Sequence, residues 1–181
     1  MIMKKKTNFR WLIKIVIISV AASMVFTFAS TEILGRTGYA VAFTVLAVFI
    51  VLGIVFDMIG IAVAVASEAP FHSMASHREK GALESLRLIK SADKVSSFCN
   101  DVVGDVSGIV SGSTAVLVAT RLMQVLDTDS LMIPLLISGA VTGLTIGGKA
   151  AGKALALNKS TAIVLKVGKL LSMLRYKSQS K

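Results

Sequence analysis

The chain has 181 residues, of which 54% are hydrophobic and only 17% charged, with a mean hydropathy of +0.76. That balance excludes an ordinary soluble domain. The net charge of +10 would suit a nucleic-acid binder, but the basic segments hold few aromatics for stacking (Phe9, Phe71 and Tyr176), so no nucleic-acid partner is expected.

The apolar residues come in long blocks. Residues 11–34 carry one lysine, Lys14, near the start, and residues 39–66 carry one acid, Asp57. Residues 102–126 contain Asp105 and Arg121, and residues 130–146 contain no charge. Each block approaches or exceeds the ~20 residues that cross a ~30 Å hydrocarbon core as a helix, the last by running on to about residue 151. Membrane strands would show alternation and turn signals, which these blocks lack. The expected fold is all-α: a polytopic membrane protein with four transmembrane helices near 11–34, 39–67, 98–126 and 130–151, forming a domain over 11–157. The opening "MIMKKK" and the apolar run after it resemble a signal peptide. The run is long, however, and "FASTEIL" matches a cleavage site poorly, so an uncleaved first helix is expected.

Topology follows from the basic residues. Five precede or open the first block (Lys4, Lys5, Lys6, Arg10, Lys14), and five lie between the second and third. Eight follow or close the fourth, from Lys149 to Lys181, which leaves only Arg36 and Arg121 for the other side. Positive-inside logic puts both termini and the middle segment in the cytoplasm of a cell-membrane protein. The positive charge then serves topology and attraction to anionic lipid.

Two segments outside the blocks have helical patterns. Residues 70–95 place Leu83, Leu86 and Ile89 at three-to-four spacing, with Pro70 before them and Ser91-Ala92-Asp93 after. The basic tail, residues 158–181, repeats Ile163, Val167, Leu170, Leu171 and Leu174 against lysines. Both are expected to be amphipathic helices on the membrane surface or against a partner helix. The basic N-terminus, residues 1–10, is expected in the cytoplasm. Cys99 is single, so it makes no intrachain disulfide and reads as a small buried residue.

The third and fourth blocks carry glycines every four residues: Gly104, Gly108 and Gly112, then Gly139, Gly143 and Gly147. Each trio lies on one helix face and permits close helix approach in lipid. More such surface is present than one small bundle needs, so a homodimer is expected. Beside the glycines stand polar groups. Asp101 and Asp105 are four apart, Asn100 is adjacent, and Asp57 and Glu68 are about three turns apart. Acids, hydroxyls and amides inside membrane helices suit a hard cation, whereas a soft metal would want Cys or His. Asp57 can also be read as a cap for a neighbouring helix or a partner of Arg121. His72 and His77 read as surface residues.

The run "AVASEAPFHSMASHREKGALESLRLIKSADKVSSF" resembles the transmembrane domain of the cyclin M / CorB–CorC divalent-cation transporters. That domain has a Ser/Ala-rich helix ending in an acid, a basic turn, a Gly, an amphipathic Ala-Leu-rich helix, and an acidic-basic entry to the next span. Ser67, Glu68, Arg78, Gly81, Leu86, Leu88, Asp93 and Lys94 stand in those places. Farther on, "TIGGKAAGKALALNKSTAIV" is similar to the end of that domain's last span, with Gly148, Lys153 and Ala156 matching. The resemblance covers residues 56–174.

The resemblance implies a membrane dimer that binds and moves Mg2+ or Co2+ through a pocket between helices. It implies Ser67 and Glu68 as ligands, with Asn100, Asp101 and Asp105 near the family's Asn-containing stretch. Lys149 and Gly152 depart from the family's acid and proline, the first span is extra, and no nucleotide-binding CBS module is present in the sequence. A separate CBS-module protein is a candidate partner, and no nucleotide site is expected in this chain. Metal candidates are thus Ser67, Glu68, Asn100, Asp101 and Asp105, with Asp57 at the margin. The alternative function is a non-transporting membrane scaffold or regulatory subunit on the same domain. No Ser/His/Asp set, P-loop or zinc motif appears, so no enzyme is expected.

Overall fold

The structure is a computed structural model and describes residues 9–36 and 39–179. The basic residues Lys4, Lys5 and Lys6, and Lys181 at the end of the tail, lie outside the described residues. All regular structure among the described residues is helical. Helix α1 spans Phe9–Arg36 and α2 Tyr39–Val65. Three short helices follow: α3 (Ala69–Ser76), α4 (Ala82–Lys90) and α5 (Ala92–Ser97). A π-helical segment, Phe98–Gly104, joins α5 to α6 (Asp105–Val125). The chain ends with α7 (Met132–Asn158) and α8 (Ser160–Gln179).

Three helical runs are long and apolar enough to cross a membrane: 26 residues over Ala40–Val65, 34 over Ala92–Val125 and 27 over Met132–Asn158. At ~1.5 Å per residue each exceeds the ~30 Å of a hydrocarbon core. Helix α1 carries a shorter apolar run, Ile13–Ala29. The three runs form a triangle. Helix α2 packs on α7, on α6 and on the π segment, α6 packs on α7, and α1 leans on α6. Ala42 meets Val118, Leu46 meets both Ala115 and Val141, and Ile54 lies on Gly148. Rising numbers on α2 thus pair with falling numbers on α6 and rising ones on α7, so α2 runs antiparallel to α6 and parallel to α7. The outward faces stay apolar, as with Met24 and Phe28 on α1 and Leu135, Leu136 and Leu144 on α7. Apolar residues facing out from long helices are what a lipid solvent requires.

The largest core lies at one end of the bundle, where the short helices meet α8. Ala62 and Val63 of α2, Phe71 of α3, Leu86 of α4, Ala156 of α7 and Val164 of α8 are buried together. The 70–95 segment is three helices rather than one. The turn over 77–81, where Arg78 and Gly81 take φ 57° and 84°, ends α3 and starts α4, and Ser91 separates α4 from α5; Pro70 marks the start of α3, where its missing N–H costs nothing. Helix α4 turns Ala82, Ser85 and Leu86 inward, and Leu83 is exposed. Its partner is α8, which it crosses through two glycines. Gly81 has φ 84°, and a Cβ there would stand 2.8 Å from the Gly168 carbonyl carbon. The Ser85 hydroxyl donates to the Val164 carbonyl at 3.1 Å across the same contact. Outside the contact, the Lys169 ammonium meets Glu79 at 3.1 Å.

Candidate functional site

A polar seam runs between α2, the π segment and α7, within the apolar bundle. On α2 it is built on Gly53, Asp57 and Gly60, which share one helix face at four- and three-residue spacing. Gly53 lets α6 approach: a Cβ there would lie 3.2 Å from the Ser107 Cβ. Gly60 is more constrained, since its Cβ would fall on the Asn100 Oδ1 and lie 3.0 Å from the Cys99 Cβ. Any side chain at position 60 would expel Asn100 from its place. Cys99 itself is free and buried, as its isolation in the sequence suggests.

The π segment supplies the second wall. Its i→i+5 ladder widens the helix by one residue per turn, and such segments are frequent at functional sites. The widening brings Cys99, Val102 and Gly104 inward. The buried Asn100 Oδ1 has no hydrogen-bond partner among the described residues, a state it shares with the Thr114 hydroxyl. A buried acceptor without a donor is costly, by about 1–3 kcal/mol, and such atoms are rare in native structures.

The third wall is α7. Gly148 and Gly152 let it lie on Ile54 and Met58 of α2. Between them Lys149 reaches Asp57, with Nζ 4.0 Å from Oδ1 and both side chains mostly covered, at 27% and 18% exposure. The same ammonium lies 3.6 Å from where a Cβ of Gly104 would stand. Asp57 lies eighteen residues along α2 and Lys149 seventeen along α7. At ~1.5 Å per residue both are therefore about 26 Å from the helix starts. Parallel helices put them at one depth, near the edge of the apolar layer beside the α3–α4–α8 core. The acid in α2 is thus answered by a lysine of α7.

The other candidates do not converge on that seam. Ser67 and Glu68 are exposed at the turn between α2 and α3. The Glu68 backbone carbonyl accepts from Phe71 and His72 at 3.0 and 3.1 Å, and its carboxylate lies 3.4 Å from His72 Nε2. Asp101 and Asp105 are four apart and both exposed, whereas the Asn100 Oδ1 is buried. Among the described residues, no group of three or more His, Cys, Asp or Glu side chains could hold a metal ion.

No protein-family model, curated protein or solved structure matches this chain. The likeness to the cyclin M / CorB–CorC domain therefore rests on the quoted residues alone.

The glycines divide differently from the sequence pattern. Around Gly108, Gly112, Gly139, Gly143 and Gly147 an added Cβ would meet nothing within 4 Å. Besides Gly81 and Gly168 at the α4–α8 crossing, the glycines that bring helices together are Gly53, Gly60, Gly148 and Gly152. Gly53 and Gly60 are seven apart, a spacing that keeps one face and could have marked α2 as the central helix. An apolar groove of about 460 Å³ lies between α2 and α7, floored by Gly143, Gly147 and Gly148. Chemically, the seam is an acid paired with an ammonium, beside a buried amide oxygen without a donor.

Proposed function

We propose that the chain is a cell-membrane protein that binds Mg2+ (or Co2+) at this seam and moves it across the bilayer. In this reading four helices cross the membrane, with α1 as the first, and both termini and the α3–α5 segment face the cytoplasm. Helices α4 and α8 form a basic layer against the membrane surface. Two chains pair through the open glycine faces of α6 and α7, and a separate CBS-module protein is a candidate regulator.

The observation that carries the reading is the Asn100 Oδ1: a buried acceptor with no donor, in a π segment, against the helix face that bears Asp57. A hard cation prefers oxygen ligands and offsets the cost of an acid in an apolar layer. Mg2+ keeps several of its waters, so one carboxylate and one amide at the seam suffice for the protein's share. Ser67, Glu68, Asp101 and Asp105 stand at the rim of the same end, where exposed oxygens can receive a hydrated ion. The resemblance adds the order of motifs.

Mg2+-dependent thermal stabilisation in detergent tests this. Wild-type protein gains stability with Mg2+, Asn100→Ala does not, and Glu84→Ala on α4 behaves as wild type. Equal gains in all three would remove the ion from the seam.

One observation favours the alternative, a non-transporting scaffold or regulatory subunit. Lys149 already answers Asp57 at 4.0 Å, so the acid has a partner without any bound ion. Reconstituted protein that binds Mg2+ but passes none would decide for it.

A further inference from the structure

We infer that Lys149 is a tethered competitor for the cation site: its ammonium occupies the Asp57 carboxylate and sets how much Mg2+ is needed to bind there. The inference rests on the cation reading and adds the residue that tunes it.

The geometry that supports it is local. Lys149 Nζ and Asp57 Oδ1 are 4.0 Å apart, on helices that lie close because Gly148 and Gly152 carry no side chain. The contacts of Gly148 and Gly152 with Ile54 and Met58 fix the rotation of α7 relative to α2. That rotation keeps the base of the Lys149 side chain toward the seam. The end of the side chain is less constrained. Nζ stands 3.6 Å from the hypothetical Gly104 Cβ, so the missing side chain of Gly104 leaves room beside the ammonium. In this inference the ammonium withdraws into that room beside Gly104 while the helices stay in place. Asn100 Oδ1, one turn from Gly104, is left without a donor while the ammonium is on Asp57.

Electrostatics makes the two occupancies exclusive. An ammonium within 4 Å of the carboxylate repels a divalent ion brought to the same oxygen, and the repulsion is strong in an apolar layer. A tethered group also acts at a high effective concentration, in the millimolar range even for short flexible linkers. Mg2+ therefore binds only to the fraction of molecules in which Lys149 has withdrawn, and apparent affinity falls by that fraction. With the pair closed about 90–99% of the time, the midpoint rises about 10–100-fold. The site then responds to abundant Mg2+ and ignores traces.

The experiment is a Mg2+ titration of thermal stability in detergent, reading the midpoint of the titration and not the starting melting temperature. A purely structural pair would change the starting temperature and leave the midpoint alone. Lys149→Met removes the competitor, and the expected midpoint is at least about tenfold lower than wild type. Lys149→Gln, which can still donate a hydrogen bond to Asp57, serves if the methionine variant does not fold, with the same expected direction. Lys149→Arg keeps the charge and keeps the midpoint high. A neutral variant with the wild-type midpoint overturns the inference while leaving the cation reading in place. Absence of any Mg2+ response in wild type and variants alike overturns both.

Discussion

Replacing Gly81 by alanine tests the joint between α4 and α8, on which the end of the bundle nearest the seam is built. Gly81 sits at φ 84°, where a side chain costs about 1–2 kcal/mol. The new Cβ would also stand 2.8 Å from the Gly168 carbonyl carbon and from the Lys169 Cα, and closer still to the Lys169 nitrogen. Carbon contacts are optimal at ~3.5–4.0 Å, so α8 must retreat by roughly 1 Å. The obstacle is backbone and cannot rotate away. Retreat stretches the 3.1 Å bond from the Ser85 hydroxyl to the Val164 carbonyl past useful length. A buried hydroxyl is then stranded, at about 1–3 kcal/mol, for a total of about 2–5 kcal/mol with the backbone strain. For a chain of this size that is a fall in melting temperature on the order of 10 °C. The assay is thermal unfolding in detergent, with trypsin cleavage at Lys166 and Lys169 as a local readout. Gly112→Ala is the control. Nothing lies within 4 Å of its Cβ, and removing a mid-helix glycine stabilises by about 0.5–1 kcal/mol. If Gly81→Ala melts with wild type and protects α8 as well, the glycine joint does not hold the helices together.

Further tests address the seam and the open faces. Gly60→Ala pushes a methyl onto Asn100 and the Cys99 Cβ, so stability should drop by about 1–3 kcal/mol and any Mg2+ response should vanish with it. Asp57→Asn and Lys149→Met should each destabilise. The double variant should be more stable than their sum predicts, by a coupling of about 0.5–3 kcal/mol; strict additivity would dissolve the ion pair as a working contact. A Cβ at Gly143 would meet nothing within 4 Å and opens on the groove between α2 and α7, so in Gly143→Leu the monomer should melt normally while crosslinking in native membranes loses the dimer band. Unchanged crosslinking would exclude that glycine face as the interface.

Much of the helical layout could be read from the chain, because twenty-residue apolar blocks have few solutions in lipid. Helix α2 ends two residues short of its expected span, the π segment and α6 together cover 98–125, and α7 runs to Asn158, past the expected end near 151. The division of residues 70–95 is less legible: Pro70 marks only where it starts, the break between α3 and α4 falls at a left-handed Arg78 and Gly81, and three short helices need tertiary contacts to persist. The inward face of α4 was misjudged for a physical reason. Hydrophobic spacing pointed to Leu83, but the approach to α8 demands small residues, so Gly81, Ala82 and Ser85 went inside and Leu83 out. Periodicity likewise gives a face and not the neighbour it meets: Gly108, Gly112, Gly139, Gly143 and Gly147 face open space within the chain, and other glycines take its close approaches. The acids show the limit most plainly. Spacing put Asp101 and Asp105 on one face, but their direction depends on the rotation of a helix widened at Phe98–Gly104. A π segment has no residue signature. That Lys149, and not Arg121, stands by Asp57 depends on the register between α2 and α7, which the side chains of Ile54 and Met58 set against two glycines.

The most direct measurement is Mg2+ entry into liposomes carrying the purified protein, followed with a trapped Mg2+-sensitive dye under an inward gradient. Entry above that of protein-free liposomes is expected, reduced at least about tenfold by Asn100→Ala, as loss of a ligand worth about 1.4 kcal/mol or more requires. Entry should also begin at a lower external Mg2+ concentration in Lys149→Met. Protein that is folded and inserted, yet no more permeable to Mg2+ than empty liposomes, would contradict the proposed transport.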